Sequence, residues 1–110
     1  MTLIDNGELE IMRRLSGATA LMSLYTLAAA QDQVQIATGA ALYDEHCAMC
    51  HGEKLRSSGV VPDLRELRPE DRPRFDQMVL EGRGQMPAWR GQLSAEEVDQ
   101  IWAYIRSRAR

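Results

Sequence analysis

The only two cysteines of the chain stand in one five-residue segment, Cys47-Ala48-Met49-Cys50-His51. The spacing C-x-x-C-H is the covalent attachment signal for a c-type haem. Two thiols three residues apart on a helical turn can each form a thioether to one vinyl group, and the adjacent His51 can then bind the iron. The segment therefore predicts one haem c, bound through Cys47 and Cys50, with His51 as the proximal ligand.

Three other interpretations of this cysteine pair are open. A thioredoxin-like redox site needs a βαβ context, and the sequence shows no convincing strand. A zinc site would use Cys47, Cys50, His51 and His46, but four ligands within six residues cannot easily surround a tetrahedral ion. A plain disulfide is the third, and it suits an exported protein. A scaffold with several disulfides is excluded, because the chain has only 2 cysteines.

An N-terminal leader is expected over residues 1–30. Met12-Arg13-Arg14 precedes thirteen uncharged residues and then Ala28-Ala29-Ala30, a pattern typical of a secretory signal peptide over 12–30, cleaved after Ala30. Residues 1–11 are acidic, the wrong sign for a signal peptide, and are interpreted as a start-site extension. The alternatives are a helix of the folded domain and an uncleaved membrane anchor, for which the apolar stretch is short.

Cleavage would leave residues 31–110 as one small domain. About 80 residues are few for a purely apolar core, so a cofactor is expected to supply part of it. The net charge of −3 and the pI of about 5.3 argue against nucleic-acid binding, which needs a basic face. We expect a periplasmic protein without stable membrane insertion.

The domain is predicted to be all-α. The first helix runs from Gln33 to the Cys47 region, with Val34, Ala37 and Ala41 on its apolar face. The second covers Arg72 to Glu81, with Gly82 as its C-cap. A capping box of Ser94 and Glu97 begins the third, whose apolar stripe is Val98, Ile101, Trp102 and Ile105. The long irregular stretch between the first two helices predicts a segment that wraps something functional.

A sixth iron ligand must come from a short list of side chains: Met49, Met78, Met86 and His46. Met49 is pinned inside the attachment segment, and Met78 lies on the apolar stripe of the second helix. His46 directly precedes the first cysteine and is not expected to reach the opposite haem face. Met86 stands in a loop, Gly84-Gln85-Met86-Pro87, that can cross to that face. A thioether opposite an imidazole raises the reduction potential, and Met86 is the predicted second metal ligand.

Residues 31–110 resemble class I cytochromes c. The matching positions are Gly39, Tyr43, the C-x-x-C-H segment, Pro62, Met86-Pro87 and the helix from Trp102 to Ile105. The resemblance implies a small cytochrome c fold, with about three to four helices wrapped around one covalently bound haem. It implies that Gly39 and Tyr43 lie where the first helix crosses the last, near Trp102. It also implies that the Pro62 carbonyl accepts a hydrogen bond from the His51 ring.

A narrower similarity concerns the stretches Ser57–Arg65 and Met86–Trp89. They are similar to the C-terminal haem domain of quinohaemoprotein alcohol dehydrogenases, although this chain has no room for the quinone-binding propeller of those enzymes. Candidate residues of the haem wall are Leu64, Leu67, Val79 and Trp89. Candidate partners of the haem propionates are Arg56, Arg65 and Arg83.

These features predict an electron-transfer protein that is not an enzyme by itself. With both axial positions filled by His51 and Met86, no position is left for a substrate. Its redox partners would be a dehydrogenase, possibly a quinoprotein, as donor and an oxidase or another cytochrome as acceptor. The alternatives are a tightly bound cytochrome subunit of a dehydrogenase complex, and a haem enzyme or sensor with an open distal site.

Overall fold

A computed structural model of the protein describes the backbone of residues 6–110 and the side chains of residues 21–110. Four α-helices follow one another in this part of the chain: α1 (Asn6–His46), α2 (Ala48–His51), α3 (Arg72–Glu81) and α4 (Ala95–Ser107). Three short 3-10 turns lie between α2 and α3, and the described residues contain no β-strand. The all-α prediction is therefore confirmed.

Helix α1 is much longer than predicted, because it begins at Asn6 and not near Gln33. No proline precedes Pro62, and residues 28–30 are alanine, the residue with the highest helix propensity. The chain divides into two compact units, Met1–Gln33 and Val34–Arg110. Of the expected extension at residues 1–11, residues 1–5 lie outside the described residues and the backbone of residues 6–11 forms the start of α1.

The buried face of α1 differs from the predicted one. Val34, Ala37 and Ala41 are exposed, whereas Gly39 and Tyr43 are buried. At Gly39 an added Cβ would lie 1.8 Å from the carbonyl oxygen of Gln100, so α1 and α4 touch through their backbones. The crossing implied by the resemblance is confirmed. Its contact points on α4 are the backbones of Gln100 and Ile101, next to Trp102 in the chain, and the Trp102 ring packs 4.9 Å from the ring of Phe75.

Helices α3 and α4 agree with their predicted bounds. Helix α3 spans Arg72–Glu81 and ends at Gly82, which has a φ of 69°. The capping box of α4 is present, because the Ser94 hydroxyl accepts from the backbone of Glu97 and the Glu97 carboxylate accepts from the backbone of Ser94. The core joins α1, α3, α4 and two loop residues; its members are Tyr43, Leu55, Phe75, Val79, Leu93, Val98, Ile101, Tyr104 and Ile105.

Candidate functional site: the cysteine segment and the methionine loop

The two cysteines belong to a single helical turn at the end of α1. The backbone N–H of Cys47 donates to Tyr43 at 2.8 Å, and that of His51 donates to the Cys47 carbonyl at 2.9 Å. Cys47 is half-buried against the core, Cys50 is exposed, and the two are not bonded to each other. Burial, followed by the neighbouring Cys50, raises the pKa of the Cys47 thiol to about 11. The turn thus presents two reduced thiols.

His51 carries the one buried side-chain polar atom among the described residues that has no hydrogen-bond partner, its Nδ1. Burial lowers the pKa of His51 and favours the neutral ring, which is the form that binds metals. The backbone of Pro62 raises the pKa of His51, against the effect of burial, because it lies close to the ring. A hydrogen bond of normal geometry is not formed there, and the predicted acceptor role of the Pro62 carbonyl stays a prediction.

A tight turn follows His51 and is closed by Tyr43. Gly52 has a φ of 93°, and an added Cβ would lie 2.0 Å from the carbonyl oxygen of Arg56. The Tyr43 hydroxyl donates to the Gly52 carbonyl at 2.7 Å. Burial first, and then the neighbouring Cys47, raise the pKa of Tyr43 well above its ordinary value. Sequence reasoning placed Tyr43 at the helix crossing but missed this hydroxyl contact.

The loop that carries Met86 folds back against the end of α3. Arg83 and Met86 exchange two backbone hydrogen bonds of 3.0 Å, and the backbone N–H of Trp89 donates to Val79 at 2.9 Å. Gly82 permits this return, because an added Cβ would lie 2.5 Å from the Met86 carbonyl oxygen. The Met86 side chain is half-buried and packs against the core. Gly82 is thus needed for the position of this loop as well as for the helix end.

The other predicted contact residues divide into two groups. Leu64, Leu67 and Trp89 are half-buried at the edge of the core, and the Trp89 ring lies 5.0 Å from the ring of His46. Val79 is buried in the core itself.

Among the candidate arginines, Arg65 is held by Asp63 through hydrogen bonds of 3.0 and 2.7 Å. Arg56 and Arg83 are exposed and form no ion pair with another described residue.

These residues fit a covalently bound haem c. Two free thiols on one helical turn suit two thioether bonds, and a half-buried imidazole and a half-buried thioether are both iron ligands of cytochromes c. With iron bound through Nε2, the buried Nδ1 of His51 would be the nitrogen left to donate to a carbonyl, and the Pro62 backbone lies close to the ring. The zinc alternative has no support, since no group of three His, Cys, Asp or Glu side chains converges in the part of the chain with described side chains.

Comparison with known proteins decides the family. The sequence profile of a family described as cytochrome c oxidase, cbb3-type, subunit III matches residues 34–105. The chain is also 30% identical to cytochrome c6 of Microcystis aeruginosa, over 64% of this chain and 94% of that protein. The chain belongs to the cytochrome c family. Its cofactor is haem c, and its relatives are electron carriers that are typically exported.

Relatives of this cytochrome also include parts of much larger enzymes. It is 42% identical to quinohaemoprotein alcohol dehydrogenase ADH-IIG of Pseudomonas putida, over 74% of this chain and 12% of the dehydrogenase. A solved structure of that enzyme matches with a TM-score of 0.64 and 41% identity, covering 71% of this chain and 12% of the other. The chain therefore spans about an eighth of the dehydrogenases that it matches. Within its described residues, no helix is long and apolar enough to cross a bilayer.

Proposed function

We propose that this cytochrome c carries single electrons with His51 and Met86 as the two axial ligands of its haem. When bound, haem c supplies a one-electron ferric–ferrous couple. The observation that carries the proposal is the buried, unpartnered Nδ1 of His51 beside Pro62. The Met86 loop supports it, because its paired backbone hydrogen bonds hold a half-buried thioether at the core edge. Leu64 and Trp89 would then cover apolar haem surface.

Replacement of Met86 tests the ligation directly. We expect Met86→Ala to abolish the methionine–iron charge-transfer band of the oxidised protein. The midpoint potential should fall by on the order of 0.1 V, because the thioether favours the reduced iron. Absorption spectra and potentiometric titration of the holoprotein measure both effects.

Two other methionines provide matched controls for that variant. Met49 is 97% exposed and Met78 is half-buried on α3. Met49→Ala and Met78→Leu should keep both the band and the potential. An unchanged band in Met86→Ala would contradict the ligand assignment, because another methionine would then bind the iron. A wild-type protein without the band would favour the alternative of an open distal site.

We further propose that the working domain is residues 31–110, released in the periplasm by cleavage after Ala30. Among the residues with described side chains, Tyr43 is the first member of the apolar core. Five large apolar side chains of the leader, Leu21, Met22, Leu24, Tyr25 and Leu27, are at least 59% exposed. Removal of the leader therefore takes nothing from the described core. N-terminal sequencing of the exported protein gives the cleavage site, and Gln31 is the expected first residue.

The proposed electron donor is a dehydrogenase, by analogy with the relatives in which a similar domain is fused to one. The same similarity favours a second candidate function, a cytochrome subunit held permanently in such a complex. Purification from the native periplasm distinguishes the two. A free carrier elutes as a monomer, whereas a subunit elutes together with its dehydrogenase.

A further inference from the structure

Tyr43 is fully buried, yet it carries a hydroxyl group that the proposed haem ligation does not use. Its ring needs no hydroxyl to fill the crossing of α1 and α4, where it lies 5.5 Å from the ring of Tyr104. The hydroxyl instead donates to the carbonyl of Gly52, the residue that follows His51, at 2.7 Å. A buried tyrosine hydroxyl usually finds such a partner. In this protein the partner lies next to the predicted iron ligand.

The turn that receives this hydrogen bond is strained. Lys54 and Leu55 have φ values of 53° and 65°, a region that disfavours side chains with a Cβ. Leu55 is nonetheless fully buried, and its backbone N–H donates to the same Gly52 carbonyl at 3.2 Å. Such strain persists only where surrounding contacts hold the chain. The hydrogen bonds that the Tyr43 hydroxyl and the Leu55 N–H donate to the Gly52 carbonyl oxygen hold the turn in this way.

We propose that the Tyr43 hydroxyl is a positioning group for His51. By holding the Gly52 carbonyl, it fixes the peptide that follows His51 and keeps the strained turn closed, so that the imidazole has one orientation. The inference rests on the proposed role of His51 as an iron ligand. Tyr43 is not an iron ligand; its hydroxyl acts through the Gly52 backbone.

The test compares two variants that each remove one hydroxyl group. Tyr43→Phe deletes the donor to Gly52. Tyr104→Phe is the matched control, because its hydroxyl forms no hydrogen bond with another described residue and its ring packs against Tyr43. In the holoprotein, exchange of the Leu55 and Arg56 amide protons should become about tenfold faster in Tyr43→Phe, as the loss of a buried hydrogen bond predicts.

Two further readouts separate positioning from general stability. The His51 ring-proton resonances of the oxidised protein and its midpoint potential should shift in Tyr43→Phe and stay at wild-type values in Tyr104→Phe. Adding Lys54→Gly, which relieves strain at a positive φ, should move the Tyr43→Phe protein back toward wild type in all three measurements. Faster amide exchange without any change at His51 would overturn the proposal, as would equal effects of the two phenylalanine variants.

Different observations would contradict the Met86 ligation and the positioning role of Tyr43. If wild-type protein lacks the methionine–iron band but Tyr43→Phe still shifts the His51 resonances, the ligation by Met86 is wrong and the positioning role stands. If the band is present and the His51 resonances and the potential are the same in Tyr43→Phe as in wild type, the positioning role is wrong and the ligation stands.

Discussion

At Gly39, helix α1 passes α4 so closely that one methyl group decides whether the two backbones can meet. An added Cβ would lie 1.8 Å from the Gln100 carbonyl oxygen and 3.1 Å from the Ile101 nitrogen. Both are backbone atoms, which cannot rotate away. Helix propensity alone favours alanine by about 1 kcal/mol, so a loss of stability at this position must come from the crossing.

We expect Gly39→Ala to lower the free energy of unfolding by about 2 kcal/mol, since overpacking outweighs the gain in propensity. Urea denaturation of the holoprotein measures the change. Thr38→Ala, at the exposed neighbouring position, should change stability by no more than about 0.5 kcal/mol. A Gly39→Ala protein as stable as wild type would mean that α1 and α4 are farther apart than the structure shows.

At the scale of whole elements, α4 contributes four of the core residues, Val98, Ile101, Tyr104 and Ile105. Its start depends on the exposed Ser94 and the half-buried Glu97. The hydrogen bonds that Glu97 accepts from Ser94, first from the backbone and then from the side chain, lower the pKa of Glu97. Because the folding of the core needs α4, the loss of its cap should be felt in global stability.

Ser94→Ala should therefore destabilise the protein by about 1 kcal/mol, the usual cost of a lost N-cap. Ser94→Asp keeps an acceptor for the Glu97 backbone and should remain within about 0.5 kcal/mol of wild type. Thermal and urea unfolding give both values. Equal stability of the alanine and aspartate variants would show that the cap contributes nothing to α4.

At the scale of the whole molecule, Asp63 joins the loop after α2 to the C-terminus. Its carboxylate accepts hydrogen bonds from the Arg65 guanidinium and lies 3.5 Å from the Arg110 guanidinium. The backbone N–H of Arg110 donates to the Arg65 carbonyl at 3.1 Å. Hydrogen bonds from Arg65 are the main cause that lowers the pKa of Asp63 from 3.8 to about 2. Because the pKa of Asp63 is lower in the folded protein, the ionised carboxylate stabilises the fold. This stabilisation is fully present above the pKa that Asp63 has in the unfolded chain.

The wild-type protein should lose the stabilisation that ionised Asp63 provides as the pH falls from about 5 to about 2. Asp63→Asn has no carboxylate to protonate, so its stability should fall less steeply over that range, and the two curves should converge at the acid end. Chemical denaturation at a series of pH values gives both curves. Asp44→Asn removes an exposed carboxylate elsewhere and should follow the wild-type curve. Parallel curves for wild type and Asp63→Asn would contradict the assignment.

Local interactions explain which features could be predicted from the sequence. The bounds of α3 follow from an apolar stripe ended by Gly82, and the start of α4 from Ser94 and Glu97, because propensities and caps act within a few residues. The haem attachment segment is likewise contiguous. The predicted start of α1 near Gln33 is wrong: the helix begins at Asn6, and no proline or glycine near Gln33 interrupts it.

The all-α class, the family resemblance and the haem c at Cys47 and Cys50 can be predicted from the sequence, since each depends on residues close together in the chain. Three features emerge from the fold alone: the buried face of α1, the pairing of Arg65 with Asp63, and the contact of Tyr43 with the turn after His51. These contacts join segments whose approach depends on packing across the whole domain, and periodicity in one helix does not specify its partner. The buried surroundings of His51 arise in the same way.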